Sequence, residues 1–206
     1  MRYIYLHGFA SGPQSSKALY MQKRFAEAGL ELTIPDLNVP TFETMTISAQ
    51  LDLVAELAQS ECCLLGSSMG GYLAALYASR SDNVRSLVLL APAFEFFERW
   101  PLLIGSEAFA TWRRTGYREV LHYGEQELRR IGWQLVEDAQ SYPGAPDFRQ
   151  PALIFHGLRD DTVPVQSSRF FADGRLNIQL EVLDSDHQMT DVVETIWQGT
   201  RAFLRI

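Results

Sequence analysis

The chain has 206 residues, enough for one domain with a sizeable core. Hydrophobic residues make up 47% and charged residues 21%, with a net charge of −7 at pH 7. That balance, without a dense Lys/Arg cluster, argues against a nucleic-acid partner, and Arg113-Arg114 and Arg129-Arg130 read as solvated faces.

Residues 1–6 carry one charge before His7-Gly8. The run is too short for a signal peptide and reads as a first strand. No apolar run approaches the roughly 18 residues that span a bilayer, so integral membrane association is not expected. The loop 7–13 follows. From residue 16, Ala18, Met21, Phe25 and Ala28 recur at helical spacing, and Gly29 is a natural stop. Residues 30–35 read as a second strand and 36–46 as irregular. Ile47, Leu51, Val54 and Leu57 mark the next helix. Residues 62–65 form a third strand, 69–79 a helix, and 84–90 a fourth strand. Cys62 and Cys63 are the only cysteines. Neighbours on a strand point to opposite faces, so a disulfide between them is not expected. They read as small core residues of a reducing compartment, and the chain as cytoplasmic. Two adjacent cysteines and scattered histidines do not make a zinc site.

The alternation of short apolar strands with helices is the pattern of a parallel sheet covered on both faces. It breaks over residues 94–150. This segment holds Trp100, Trp112 and Trp133, with Phe94, Phe96, Phe97, Phe109 and Tyr117. It is too long for a simple crossover. It reads as a lid-like helical insert with a hairpin near Gly124, lying over the C-terminal edge of the sheet. Its aromatics either line a binding cavity or pack only the insert itself. The rhythm resumes with a fifth strand (152–155), a helix (166–173), a sixth strand (178–183) and a final helix striped by Val193, Ile196, Trp197, Thr200, Phe203 and Leu204. The whole reads as one α/β domain spanning 1–206.

Function in such sheets sits at the carboxyl ends of the strands. Four polar turns fall there: His7-Gly8-Phe9, Gly66-Ser67-Ser68-Met69-Gly70, Asp160-Asp161 and Asp186-His187. Glycines flanking Ser68 let strand and helix approach closely and force the serine to the tip of the turn. A nucleophile there sits at a helix N-terminus, where the Met69 N–H favours developing negative charge. The Gly-x-Ser-x-Gly pattern alone is weak. Its context and the order Ser, Asp, His strengthen it.

With those residues in view, the chain resembles an α/β-hydrolase over nearly its whole length. The matches are His7-Gly8-Phe9, Gly66-Ser67-Ser68-Met69-Gly70-Gly71, His156-Gly157-x-x-Asp160-x-x-Val163-Pro164, and Asp186-His187. Within that superfamily it is similar to small single-domain esterases and thioesterases, including the YqiA-like bacterial esterases and the acyl-glucuronide or depalmitoylating hydrolases. It starts at what resembles the third strand of larger members. The resemblance therefore implies a reduced, mostly parallel six-stranded sheet in the order 2-1-3-4-5-6. It also implies a triad of Ser68 as nucleophile, His187 as base and Asp160 as acid, with an oxyanion held by the N–H groups of Phe9 and Met69.

Asp161 is the rival to Asp160, and Glu95 is a further candidate acid. His7 and His156 read as structural groups bonding loop backbone beside the site. His122, in the insert, has no assigned role. The expected activity is hydrolysis of a carboxylic ester or thioester through an acyl-enzyme, with no metal or organic cofactor. The partner expected is a small acyl ester or thioester, with an acylated protein as a further candidate. The same triad also serves amide and carbon–carbon hydrolysis. A non-catalytic ligand-binding hydrolase fold is the reading from another class, and the presence of every triad member weighs against it.

Overall fold

The computed structural model describes residues 1–206. In chain order the elements begin with β1 (Arg2–Leu6), α1 (Ser16–Glu27), β2 (Leu32–Thr33), α2 (Ile47–Leu57), β3 (Cys62–Ser67), α3 (Met69–Ala78) and β4 (Val84–Leu90). Then come α4 (Phe96–Ile104), α5 (Ser106–Thr115), β5 (Tyr117–His122), β6 (Glu127–Gly132) and α6 (Gln134–Ala139). The chain ends with β7 (Ala152–Gly157), α7 (Val165–Ala172), β8 (Ile178–Leu183) and α8 (Val193–Leu204). No helix is long and apolar enough to cross a membrane.

Six strands form one sheet in the order β2-β1-β3-β4-β7-β8, with every pairing parallel. With the hairpin strands β5 and β6 set aside, this is the expected order. The second strand is the exception in length, with only two residues in the sheet. Pro35 lacks the N–H that a longer ladder would need.

Strand alternation divides the core into two layers. Ile4, Leu6, Cys62 and Leu64 face α2 and α3, in a cluster of 35 buried residues. Tyr3, Tyr5, Cys63 and Leu65 face α1 and α8, in a cluster of 16. The two cysteines therefore belong to different layers, and both are free thiols. Each strand of β3 and β7 is buried along its whole length. That matches the nearly continuous apolar runs of their sequences.

Elements α4 to α6 pack on the larger layer through tryptophans. Trp112 stands edge-on to Trp100 at 4.7 Å and to Trp133 at 5.5 Å. Its indole N–H donates to the Ile131 carbonyl of β6 at 3.1 Å. The Ser48 N–H, opening α2, donates to Asp138 of α6 at 2.8 Å. At the hairpin turn, the Tyr123 N–H donates to the Ala10 carbonyl at 2.7 Å. This last bond holds the tip of the β5–β6 hairpin against the loop that follows β1. His122 is buried there, edge-on to Phe42 at 4.8 Å, and its Nδ1 accepts from the Glu125 N–H at 3.2 Å.

Candidate active site

The turn between β3 and α3 is made by two glycines. A Cβ on Gly66 would overlap the Gly70 carbonyl, and a Cβ on Gly70 would overlap the Leu6 carbonyl of β1. Between them Ser68 takes φ 54° and ψ −118°. A non-glycine residue with positive φ is strained and needs support from its surroundings. That support comes from β4, the residues after it and the first turn of α3. The Ser68 N–H donates to Leu90 O at 2.8 Å, and the Ser68 carbonyl accepts from Gly71, Tyr72 and Ala93 at 2.9, 3.1 and 3.0 Å. Ala10, Ala91 and Met189 also have positive φ. Like Ser68, they follow the ends of strands β1, β4 and β8.

Ser68 is half-buried, with its Oγ 3.1 Å from His187 Nε2. His187 Nδ1 lies 2.7 Å from Asp160 Oδ2. The carboxylate accepts, so Nδ1 carries the proton and Nε2 is free to accept from the serine. Asp160 Oδ1 accepts two backbone N–H groups, from Thr162 at 3.0 Å and Val163 at 2.7 Å. Burial would raise the Asp160 pKa. The hydrogen bonds from His156 and His187, the His187 charge and the Val163 N–H outweigh that and hold it well below the usual carboxylate range.

The other predicted residues separate cleanly. Asp161 is exposed, and its carboxylate meets only the neighbouring Thr162 hydroxyl at 3.2 Å. Glu95 is exposed and lines a different cleft with Phe170 and Arg175. His7 Nε2 accepts from the Leu37 N–H at 2.9 Å, so Nδ1 donates to Gly8 O at 2.9 Å. That arrangement shapes the loop before Phe9. His156 Nδ1 accepts from Ser168 Oγ at 2.7 Å, and its Nε2–H points to Val163 O at 2.8 Å. The same Nε2 is 3.2 Å from Asp160 Oδ2.

The loop after β1 lies directly against the serine. A Cβ on Gly8 would stand 3.4 Å from Ser68 Cβ. The N–H groups of Phe9 and Met69 make no hydrogen bond within the chain and are free to donate. Ser68 and His187 open into a cavity of about 630 Å³. Its apolar wall includes Phe9, Phe96, Trp100, Leu103, Ile104 and Val120. The Phe9 ring is edge-on to Trp100 at 5.7 Å. The insert's aromatics therefore divide: Trp112 and Trp133 pack the core, while Phe96 and Trp100 reach the cavity.

Two features of the site go beyond the motifs. His156, read as a structural group bonding loop backbone, also reaches the Asp160 carboxylate. Lys17 is buried in the cavity wall at 8% exposure. A signal for it exists, because Lys17 stands one turn before Met21 on the stripe that α1 buries.

The chain is 25% identical to the palmitoyl-protein thioesterase ABHD10, mitochondrial, of Bos taurus over 211 residues. That alignment covers 91% of this chain and 67% of the bovine protein. A crystal structure from Agrobacterium vitis S4 superposes with a TM-score of 0.83 at 26% identity, over 98% of this chain and 87% of that one. The mouse alpha/beta hydrolase domain-containing protein 10 superposes with a TM-score of 0.79 at 20% identity, over 98% and 89%. The fold is that of the α/β-hydrolases, as the sequence motifs imply. Residues 2–204 match a single family along their whole length, and the chain belongs to it: the uncharacterised protein family UPF0227.

Proposed function

We propose that the protein is a serine hydrolase that cleaves a carboxylic ester or thioester through an acyl-enzyme. The observation that carries this reading is the unbroken relay from Asp160 through His187 to Ser68, at 2.7 and 3.1 Å, with Ser68 and His187 opening into a cavity that has one apolar wall. A serine hydroxyl is a weak nucleophile at neutral pH and needs an adjacent base. His187 Nε2 takes the proton as Ser68 Oγ attacks the acyl carbonyl. Asp160 stays ionised, holds the imidazole tautomer and stabilises the imidazolium. The N–H groups of Phe9 and Met69 receive the oxyanion, each such donor lowering the barrier by roughly 3 kcal/mol.

Collapse of the tetrahedral intermediate breaks the bond to the alcohol or thiol, which takes the proton from His187. Water then attacks the acyl-Ser68 carbonyl and gives its proton to His187. The acid leaves, and Ser68 regains its proton. The net change is ester or thioester plus water to acid plus alcohol or thiol.

The insert acts as a lid whose Phe96, Trp100 and Val120 hold the acyl chain. Similarity to a protein named as a palmitoyl-protein thioesterase supports an acyl substrate and a thioester as one form of it. Treatment with a fluorophosphonate, followed by intact-mass analysis and peptide mapping, tests the reading. A single adduct on Ser68 is expected, and a panel of esters and thioesters then ranks acyl length. An unlabelled, folded protein would overturn it.

A further inference from the structure

Of the charged side chains that line the cavity and have no part in that reaction, Lys17, Arg118, Glu119 and Asp161, only Lys17 is buried. Lys17 is 8% exposed, yet its ammonium takes part in no hydrogen bond or ion pair within the chain. It lines the cavity together with Ser15, Ser16 and His187. The side chain is buried up to an ammonium that meets only the cavity, and a charge so enclosed without a protein partner is unfavourable, so its retention beside a reactive serine suits a partner that arrives from outside. Burial lowers its pKa to about 8, against the pull of Asp160 and Asp186, so at neutral pH it is mainly charged. Asp161 and Glu119 also line the cavity, and neither pairs with it.

The backbone around Lys17 has the same polarity. The first helical bond of α1 is Leu19 N–H to Ser15 O at 3.0 Å, which leaves the N–H groups of Ser16, Lys17 and Ala18 without acceptors. The Ser15 side chain does not cap the helix, and its first turn holds no acid. Free N–H groups and the helix dipole both favour an anion at this end.

The placement of α1 says which half of a substrate would meet this turn. Tyr20 donates to the Glu194 carboxylate, and Arg24 Nη2 donates to Glu194 Oε1 at 2.8 Å. These bonds bind α1 to α8 and set its opening turn beside the loop that carries His187. His187 delivers its proton to the leaving group, so this side of Ser68 is the leaving-group side. The apolar wall of Phe96, Trp100 and Val120 comes from the insert.

We infer that Lys17 and the opening turn of α1 form a subsite for an anionic group, a carboxylate or a phosphate, on the leaving alcohol or thiol. This inference rests on the hydrolase reading above. The test uses octanoyl esters of three phenols: 4-hydroxybenzoate, 4-hydroxyphenyl phosphate and the uncharged methyl 4-hydroxybenzoate. For each enzyme, kcat/KM for each anionic ester is divided by that for the neutral one. Comparing this ratio between wild type and Lys17→Met cancels the intrinsic reactivity of the leaving groups. The wild-type ratio is expected to exceed that of Lys17→Met by on the order of tenfold, the worth of one charge-assisted contact, and Lys17→Arg to retain most of the difference. The benzoate and phosphate arms show which anion the subsite prefers. Ratios within about twofold of one another for both anions would overturn the subsite. A Lys17→Met protein that fails to fold is replaced by Lys17→Gln in the same comparison. If wild type cleaves none of the three esters, fluorophosphonate labelling of Ser68 decides the hydrolase reading by itself, and the subsite is read by calorimetric titration with benzoate and inorganic phosphate. Binding that is lost in Lys17→Met then upholds the subsite, and no binding to wild type overturns it.

Discussion

His156 and Asp160 meet behind the site. The imidazole Nε2 of His156 lies 3.2 Å from Asp160 Oδ2, the same oxygen that His187 Nδ1 reaches at 2.7 Å. Neither the His156 nor the Asp160 side chain is exposed. His156 is itself fixed by Ser168 on one nitrogen and Val163 O on the other. The carboxylate is thus aimed from behind by one histidine and used from the front by another. Substituting His156 with Phe leaves the Ser168 hydroxyl and Val163 O without partners. The expected loss is about 1–3 kcal/mol in denaturant unfolding, with kcat reduced more than KM is raised. An unchanged kcat in a folded variant would show that His156 does not position Asp160.

Ser68→Ala and His187→Ala should each remove nearly all turnover, by a factor on the order of 10⁴ or more, and leave the melting temperature close to that of wild type. Because the two side chains act as one unit, the double variant should be little slower than either single one. Steady-state kinetics on one activated ester checks both statements. Near-wild-type rates in either single variant would rule out the mechanism.

The choice between adjacent aspartates is the sharpest point at which sequence and structure differ in what they carry. Asp160 and Asp161 are chemically identical, and only a family pattern separates them in the sequence. In the folded chain the turn gives Asp160 two N–H donors and two histidines, while Asp161 points outward. Asp160→Asn is expected to lower kcat by roughly 10³–10⁴, and Asp161→Asn to change it by less than about twofold. A larger loss at Asp161 would reverse the assignment.

The same reasoning explains what else was legible. Strands β3, β4 and β7 are apolar along nearly their whole length, and their sequences say so directly. The motif glycines mark the Ser68 turn because nothing larger fits between β3, β1 and α3. The hairpin is harder to read. Its strands mix charged and apolar residues on both faces, Arg118, Val120, Arg129 and Ile131 on one and Glu119, Leu121, Leu128 and Arg130 on the other. Lys17 is hidden for a different reason. Its place on the buried stripe of α1 is a local signal, but its depth also depends on how α1 lies against α8, which is packing between distant segments.

Asp160 also links stability to acid. Its folded pKa is depressed relative to the unfolded chain, so its contribution is present above the unfolded carboxylate value and is lost as pH falls through the folded value. The stability gap between wild type and Asp160→Asn should therefore be widest near neutrality and narrow below about pH 4. Urea unfolding at several pH values measures it. A gap that did not change with pH would mean that the native contacts do not favour the ionised carboxylate.

Lys17 works in the opposite direction. Its folded pKa, about 8, is below the ordinary 10.5, because burial outweighs the attraction of Asp160 and Asp186. Below pH 8 the group is charged in both states, and the folded state carries the full cost of burying it, about 3 kcal/mol. As pH rises from 8 towards 10.5 the unfolded chain holds the proton longer, and this cost fades. Lys17→Met should therefore be more stable than wild type at pH 7, with a gap that closes towards pH 10. Parallel thermal melts across that range check the sign. A variant less stable than wild type at pH 7 would mean that the ammonium is held by partners inside the fold. The predicted pattern instead describes a residue kept at a cost to stability.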